Sequence, residues 1–509
     1  MLATYSLLLT TGFVFADEIP TLNPTANASK SMTIEADVVN YLEDNQFVDA
    51  TGNVIFVYKN YTGSANHSTL DTLQDQLTMD HGFVLQRYSR TFKGETLDYN
   101  LRTETGLAQN AEFNVSGNQI HGKEVYIGKD KILVTDATMT ICSDVPPHYF
   151  ISASKITIYP KWNMTVADNA VLHILGVPIA YIPSYVVNNA ANDASQLLIP
   201  EFGNNPVEGQ FVKVKVGYHA NEKVQGTVDI DYLEKLEYRL GFTNTSLIDT
   251  KSSFQTRVHN VGRHGLELGF RYRTLLGVPH EKEDLSVTDF FAGIVPPTRE
   301  EYPELLVDLT FQEIVNYQFI SYVPQFTLIA PKYRLGESGF YFTGFGTMGR
   351  INEERTGMYD KFRLFPTLGT TFLVEPFGMF HENINYDSSV YTRDDLSFVN
   401  QWYRFYNNFG LTRKFWIVDT FFNFRHTFTQ GGASPFFFDT FNQAAARELS
   451  FDASLPLAEH RIGYHVDYVL DQDYYRNIDY YLSLLLHDFI VRFDWKTQQG
   501  SFKLSFNLK

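Results

Sequence analysis

From Gly209 to Lys509, apolar and polar residues alternate in short runs broken by Gly, Asn and Pro. Phe211-Val212-Lys213-Val214-Lys215-Val216-Gly217-Tyr218 and Leu266-Glu267-Leu268-Gly269-Phe270-Arg271-Tyr272-Arg273 keep a period of two, and Val224 to Tyr232, Phe340 to Gly346, Ile462 to Tyr468 and Tyr481 to Trp495 continue it. The final residues set Phe502, Leu504, Phe506 and Leu508 opposite Ser501, Lys503, Ser505, Asn507 and Lys509. Successive side chains of a strand point to opposite faces, so this pattern predicts strands with one apolar and one polar face. Sustained over this length, it suits a closed antiparallel barrel with a lipid-facing exterior and a polar lumen. A soluble β-sandwich would divide into smaller domains well before this size. Membrane-spanning strands need ~9–11 residues each, so the region holds roughly 18 to 24 of them. Val278 to Pro303 is too long and proline-rich for a hairpin turn and reads as a surface loop or a lumen plug.

The preceding segment, 32–190, has a different texture: short β units punctuated by Gly and Asn. Ala36-Asp37 leads to Tyr41 and then Ala50-Thr51-Gly52-Asn53-Val54. A related unit runs from Gly94-Glu95-Thr96-Leu97-Asp98-Tyr99 to Thr105-Gly106-Leu107-Ala108, and a third from Gly122-Lys123-Glu124-Val125 to Val134-Thr135-Asp136-Ala137-Thr138. Such recurrence marks stacked units, none of which buries its face alone. The predicted product is a jelly roll or short β-solenoid whose open edges can accept another chain's strands. Within it, Ile55 and Val57 face opposite to Phe56 and Tyr58. The stretch from Ile151 to Pro200 joins the two textures. There Gly176-Val177-Pro178-Ile179-Ala180-Tyr181-Ile182-Pro183 is predicted to be extended and irregular, because each proline removes a donor and constrains its predecessor.

Residues 1–16 have an apolar centre from Leu7 to Phe15, with Val14 and Ala16 at the small-residue positions of a cleavage site, and read as a signal peptide. Residues 17–31, polar and carrying Pro20 and Pro24, read as a leader. No run of 18 or more apolar residues occurs, so any crossing of a membrane has to be made by a closed barrel. The expected organisation is all-β: an N-terminal periplasmic β-jelly roll over 32–190, then a large antiparallel transmembrane β-barrel over 191–509.

Composition narrows the function. The net charge of −17 argues against a nucleic-acid partner, since phosphate neutralisation needs clustered Lys and Arg. Aromatics make up 15% of the chain while only 19% is charged, a balance suited to aromatic girdles flanking a lipid-facing band. A single cysteine, Cys142, rules out an internal disulfide framework and reads as a small buried hydrophobe.

Enzymatic signatures are weak. Gly344-Phe345-Gly346-Thr347-Met348-Gly349 fits GxGxxG but is followed by no helix pattern, so glycine in a curved strand is the better reading. His381-Glu382-Asn383-Ile384-Asn385 fails the HExxH zinc pattern, no Cys/His cluster has ligand spacing in sequence, and no G-x-S-x-G elbow occurs. No catalytic residue, metal or cofactor is expected.

Together, the Ala-Asp and Gly-Asn-Val phrases, the segment Asp136-Ala137-Thr138-Met139-Thr140-Ile141-Cys142, the run from Asn169-Ala170 through Val177-Pro178-Ile179-Ala180-Tyr181-Ile182-Pro183, and Leu198-Ile199-Pro200 resemble the LptD (OstA/Imp) family of outer-membrane lipopolysaccharide-assembly proteins. The resemblance is strongest from Ala36 to about Tyr218. It implies a periplasmic jelly roll that receives lipopolysaccharide from a bridge protein of the LptA type, a barrel in the outer membrane with an LptE-type plug lipoprotein, and release through a lateral seam between the first and last strands. Ile34, Val54, Phe56, Leu97 and Phe113 are then the candidates for a lipid track, with ordinary core packing as the alternative role. Pro200 and Pro206, flanking the first barrel strand, are the candidates for a weakened gate, because proline deletes a backbone donor; a simple turn at the start of the strand is the alternative. Of the family's disulfide-forming cysteines only Cys142 has a counterpart, so disulfide-linked maturation is not expected. Two other readings stay open: a passive porin-like channel with an accessory β domain, and an outer-membrane hydrolase.

Overall fold

A computed structural model of the chain describes residues 32–508 except 43–45, 59–60, 88–89, 116, 189–200, 262–264, 280–296, 316–317, 375–376, 393–397, 433, 441–446, 459 and 487–488. The segments read as signal peptide and leader lie outside the described residues, as do Pro200 and most of the Val278–Pro303 loop. The fold is all-β, as the alternation predicts. Apart from a 3-10 turn at Pro160–Trp162 and a short helix at Phe437–Thr440, the described elements are strands. They form two sheets: a 13-stranded sheet from Met32 to Asn188 and a closed barrel of 18 antiparallel strands from Glu201 to Leu508. The barrel falls at the low end of the range set by strand length. No described helix is long and apolar enough to cross a membrane.

In the N-terminal sheet most strands pair with their sequence neighbours, and one face gathers into a single apolar core running from Val48 to Val187. The repeat phrases have a geometric meaning. Asn53, Asn110, Asp136 and Asn169 all take left-handed backbone angles, which Asn and Asp tolerate better than other side chains. Each is followed by a small, fully buried residue: Val54, Ala111, Ala137 and Ala170. Around the first, pairing slips between Thr51 and Val54. Such bulges bend strands and raise the local twist, curling the sheet around its core. At the first bulge, Gly52 sits at φ +79°, where a Cβ would lie 2.4 Å from Asp37 Oδ2. Asp37 donates its N–H to Gly52 O and accepts a hydrogen bond from Asn53 Nδ2 at 3.1 Å. The Ala-Asp and Gly-Asn-Val phrases therefore meet across one bulge.

Pro178 and Pro183 depart from expectation. They lie in a strand, Val177–Asn188, paired along its length with Met164–Ile174 and interrupted only by a slip at Leu172/His173. That strand ends the sheet order, so it is an edge with one ladder only, and an edge tolerates a missing donor.

The barrel strands follow one another around the ring and close first to last. Phe362 and Leu364 project outward and exposed, while Lys361 is buried and Arg363 pairs with the fully buried Asp387. The exterior is thus apolar and the interior polar, as a membrane barrel requires. The GxGxxG segment lies inside the strand Phe340–Glu353 and has no helix after it, in line with its reading as strand glycines. At the rim opposite the N-terminal sheet, the segment after the strand Val418–Gly431 turns inward. Phe436 is fully buried there, with ring centroids 5.4 Å from Tyr359 and 5.7 Å from Tyr391. Glu353, also fully buried, accepts the N–H groups of Phe437 and Phe438, both at 3.0 Å. This carboxylate supplies partners that the first turn of a helix otherwise lacks.

Candidate functional site

The functional geometry begins in the N-terminal core. Alternation along Phe47–Tyr58 turns Val54 and Phe56 inward and leaves Ile55 and Val57 on the other face. Phe56, Leu97 and Phe113 are buried in one cluster, and Ile34 packs against it half-buried; Val54 is fully buried but lies outside that cluster. Their spacing in the chain gives no hint of this meeting; the cross-strand register does. Ile34 pairs with Phe56, Phe56 with Gly63, and Phe92 with Phe113. The rings of Phe83, Phe92 and Phe113 form a ladder with centroids 5.3 and 5.5 Å apart. Beside Phe56 and Leu97, between Tyr58, Tyr61 and Tyr99, the core leaves about 10 Å³ of free space, room for one water at most. The interior is filled there, whereas Val54, Gly63, Ala65 and Phe83 help line an open cleft of about 840 Å³.

The far edge of this sheet meets the barrel. Val177–Asn188 packs beside the second barrel strand, Gly209–Asn221. Tyr159 and His219 bring their rings to 5.9 Å, and Lys223 Nζ lies 5.9 Å above the Trp162 ring. Burial pushes the Tyr159 hydroxyl above its ordinary pKa, and the charge of Glu222 adds to the effect.

The first barrel strand, Glu201–Asn205, is five residues long. Among the described residues it joins the last, Ser501–Leu508, through three residue pairs: Phe202 with Leu504, Gly203 with Lys503 and Asn204 with Phe502. By contrast, Gly378–Thr392 and Phe398–Phe415 share fourteen. At Gly203 a Cβ would sit 2.6 Å from Phe502 O and 2.3 Å from the Phe211 ring, so the junction closes only because that side chain is missing. Lys503 and Glu201 add an ion pair at 2.8 Å. Pro206 occupies the turn after the first strand, exposed, with its carbonyl accepting Lys235 Nζ at 2.6 Å. Its missing donor therefore falls in the turn and not in the ladder between first and last strands. Among the described residues the junction is short.

Behind it lies a cavity of about 1410 Å³ inside the barrel. Its lining is rich in paired charges: Lys213 with Glu208 at 2.8 Å, Arg239 with Asp231 at 2.6 Å, and Arg492 with Asp494 at 2.9 Å.

One cluster escaped the reading of the sequence. Cys142 is buried, as a small hydrophobe should be. The loop after it, however, brings Asp144 and His148 alongside, so that one ligand atom of each lies within 4.8 Å of the others. The expectation of no Cys/His cluster and no metal group came from spacing alone. Cys-x-Asp-x-x-x-His matches no common zinc pattern, and only the turn through Val145-Pro146-Pro147 folds the three together.

No family model matches the chain. The LPS-assembly protein LptD of Shewanella denitrificans is 24% identical over 227 residues, covering 38% of this chain and 30% of that protein. That of Neisseria meningitidis serogroup A is 27% identical over 179 residues, covering 34% and 22%. That of Idiomarina loihiensis is 22% identical over 249 residues, covering 46% and 32%. The resemblance to the LptD family read from the repeat phrases is borne out, and the chain matches no more than about a third of the length of these relatives. Among solved structures, the P pilus usher (PapC) translocation pore aligns with 90% of this chain and 94% of its own, at 7% identity and a TM-score of 0.24, too low to indicate a shared fold.

Proposed function

We propose that this chain is an outer-membrane translocon for lipopolysaccharide. Its N-terminal sheet stands in the periplasm and takes the glycolipid from a β bridge of the LptA type at the edge formed by Met32–Glu35 and Val38–Leu42. The acyl chains follow the apolar face that holds Ile34, Val54, Phe56, Leu97 and Phe113. The lipid then leaves sideways between the first and last barrel strands into the outer leaflet, while an LptE-type lipoprotein occupies the lumen. No bond is made or broken, and no cofactor takes part.

The observation that carries this reading is the short junction of first and last strands, three pairs among the described residues. In hydrocarbon each unsatisfied backbone group costs several kcal/mol, so a wall opens first where the fewest pairs must separate. The names of the relatives and the apolar barrel exterior support the membrane and the cargo. Because the core beside Phe56 is filled, lipid passage at that point requires side chains to part. Of the gate candidates, Pro206 contributes by ending the first strand.

A photoreactive residue at Phe56 is expected to cross-link lipopolysaccharide in cells. A disulfide formed across the junction by Asn204→Cys with Phe502→Cys is expected to stop arrival of lipopolysaccharide at the surface, with reductant restoring it. Export that continues with the bond formed would overturn lateral release. The cavity of about 1410 Å³ favours a second reading, a passive channel. Steady open conductance of the purified barrel in a planar bilayer would support it, and a closed barrel would support the translocon.

A further inference from the structure

We infer that Cys142, Asp144 and His148 form a binding site for one divalent cation of the zinc class. The site is outside both the lipid-facing barrel wall and the apolar track, in the loop joining the strands Ile132–Thr140 and Tyr149–Tyr159.

The argument rests on convergence. His148 Nδ1 lies 3.1 Å from Asp144 Oδ2 and 3.8 Å from Cys142 Sγ. A proton relay would place its two partners on different ring nitrogens. Here both fall on the same one, so three ligand atoms of three kinds surround one point. Tetrahedral coordination with Zn–S near 2.3 Å and Zn–N or Zn–O near 2.0–2.2 Å sets ligand atoms about 3.4–3.6 Å apart. The two separations from His148 bracket that range and the third is within 4.8 Å, so side-chain shifts would seat an ion.

The surroundings suit the task. The Cys142 N–H donates to Thr140 Oγ1 at 3.0 Å, and that hydroxyl donates to Tyr149 O at 2.6 Å. The Leu175 N–H donates to His148 O at 2.6 Å. Pro146 and Pro147 stiffen the connection between the ligands. Cys142 is buried while the side chains of Asp144 and His148 remain 43% and 40% exposed, so an ion can enter and keep water as its fourth ligand. An open cleft between this loop and the Leu175-Gly176 turn gives the path. A thiolate with an imidazole selects a borderline-soft ion over magnesium or calcium. Binding exchanges the thiol proton for the metal: the S–H bond breaks, a metal–sulfur bond forms, and the proton goes to solvent.

The full-length protein in detergent, reduced and stripped with chelator, is titrated with Co²⁺. The expected result is a thiolate-to-cobalt charge-transfer band that saturates at one equivalent and is bleached by Zn²⁺. Cys142→Ser removes the band. His148→Ala and Asp144→Asn each weaken binding by about tenfold or more, at least what losing an outer-sphere partner costs. The absence of a band in the unmodified protein, or an affinity unchanged by His148→Ala, would overturn the site. Heat-shifted migration of each variant checks that the barrel is intact. Because the readout is spectroscopic, the outcome is independent of lipid transport.

Discussion

The two sheets of this protein use the same period of two with opposite polarity. In the N-terminal sheet the inward residues are apolar and the space beside Phe56 and Leu97 is filled. In the barrel the inward residues are charged and paired, as with Asp387 between Arg363 and Arg404 at 2.8 and 2.9 Å, and a cavity of about 1410 Å³ remains. Alternation alone does not say which face is the inside. That is decided by the surroundings: water outside the first sheet, which drives apolar groups inward, and hydrocarbon outside the second, which accepts them outward.

The sharpest test of this contrast places a charge on the inward face of the first sheet. Phe56→Asp is expected to destabilise that sheet by roughly 5 kcal/mol or more, combining a lost buried ring with an unpaired charge. Proteolysis of the N-terminal region and loss of lipopolysaccharide cross-linking would report it, while heat-shifted migration of the barrel stays normal. Loss of migration along with transport would mean that the two sheets fold as one unit and the contrast is false.

The converse change puts an apolar group among the barrel's charges. Asp387→Leu leaves the guanidinium groups of Arg363 and Arg404 facing each other without their shared carboxylate. The expected cost is about 3–5 kcal/mol, read as a lower temperature for the migration shift. A rise in that temperature would show that the lumen behaves like the filled core.

The apolar cap at the far rim is the exception inside the barrel, and Phe436→Ala probes it. Removing this fully buried ring is expected to cost about 3–4 kcal/mol locally. Conductance in a planar bilayer should rise as the segment held by Glu353 loosens. Unchanged conductance would place the closure of the mouth elsewhere.

The smallest effect concerns the left-handed positions of the N-terminal sheet. Asp136→Val puts a β-branched residue at φ +45° and is expected to cost about 1–2 kcal/mol, seen as a shallow fall in the N-terminal sheet's resistance to protease. Asp136→Gly should cost little or nothing, and equal losses in the two variants would show that the left-handed backbone is not what the repeat preserves.

Much of this could be read from residues in order. The alternation of Phe211 to Tyr218 and of Ser501 to Lys509 announced strands with two unlike faces. The phrases at Asn53 and Asp136 stood out as repeats before their left-handed geometry explained them. Pro178 and Pro183 misled, because their effect depends on whether the strand has one neighbour or two. Pro206 stands in the turn after the first strand, the alternative that its position in the sequence had left open.

The sequence by itself determined which residues form strands, which side of each strand is apolar, and where the backbone bulges, because those properties depend on a residue and its near neighbours. Tertiary structure alone decided that the first and last strands meet, through three pairs among the described residues, that Phe436 folds into the mouth, and that Asp144 and His148 turn back onto Cys142. Each of those depends on how the ring closes or a loop turns, and closure sums small twists over many strands that no short stretch of chain records.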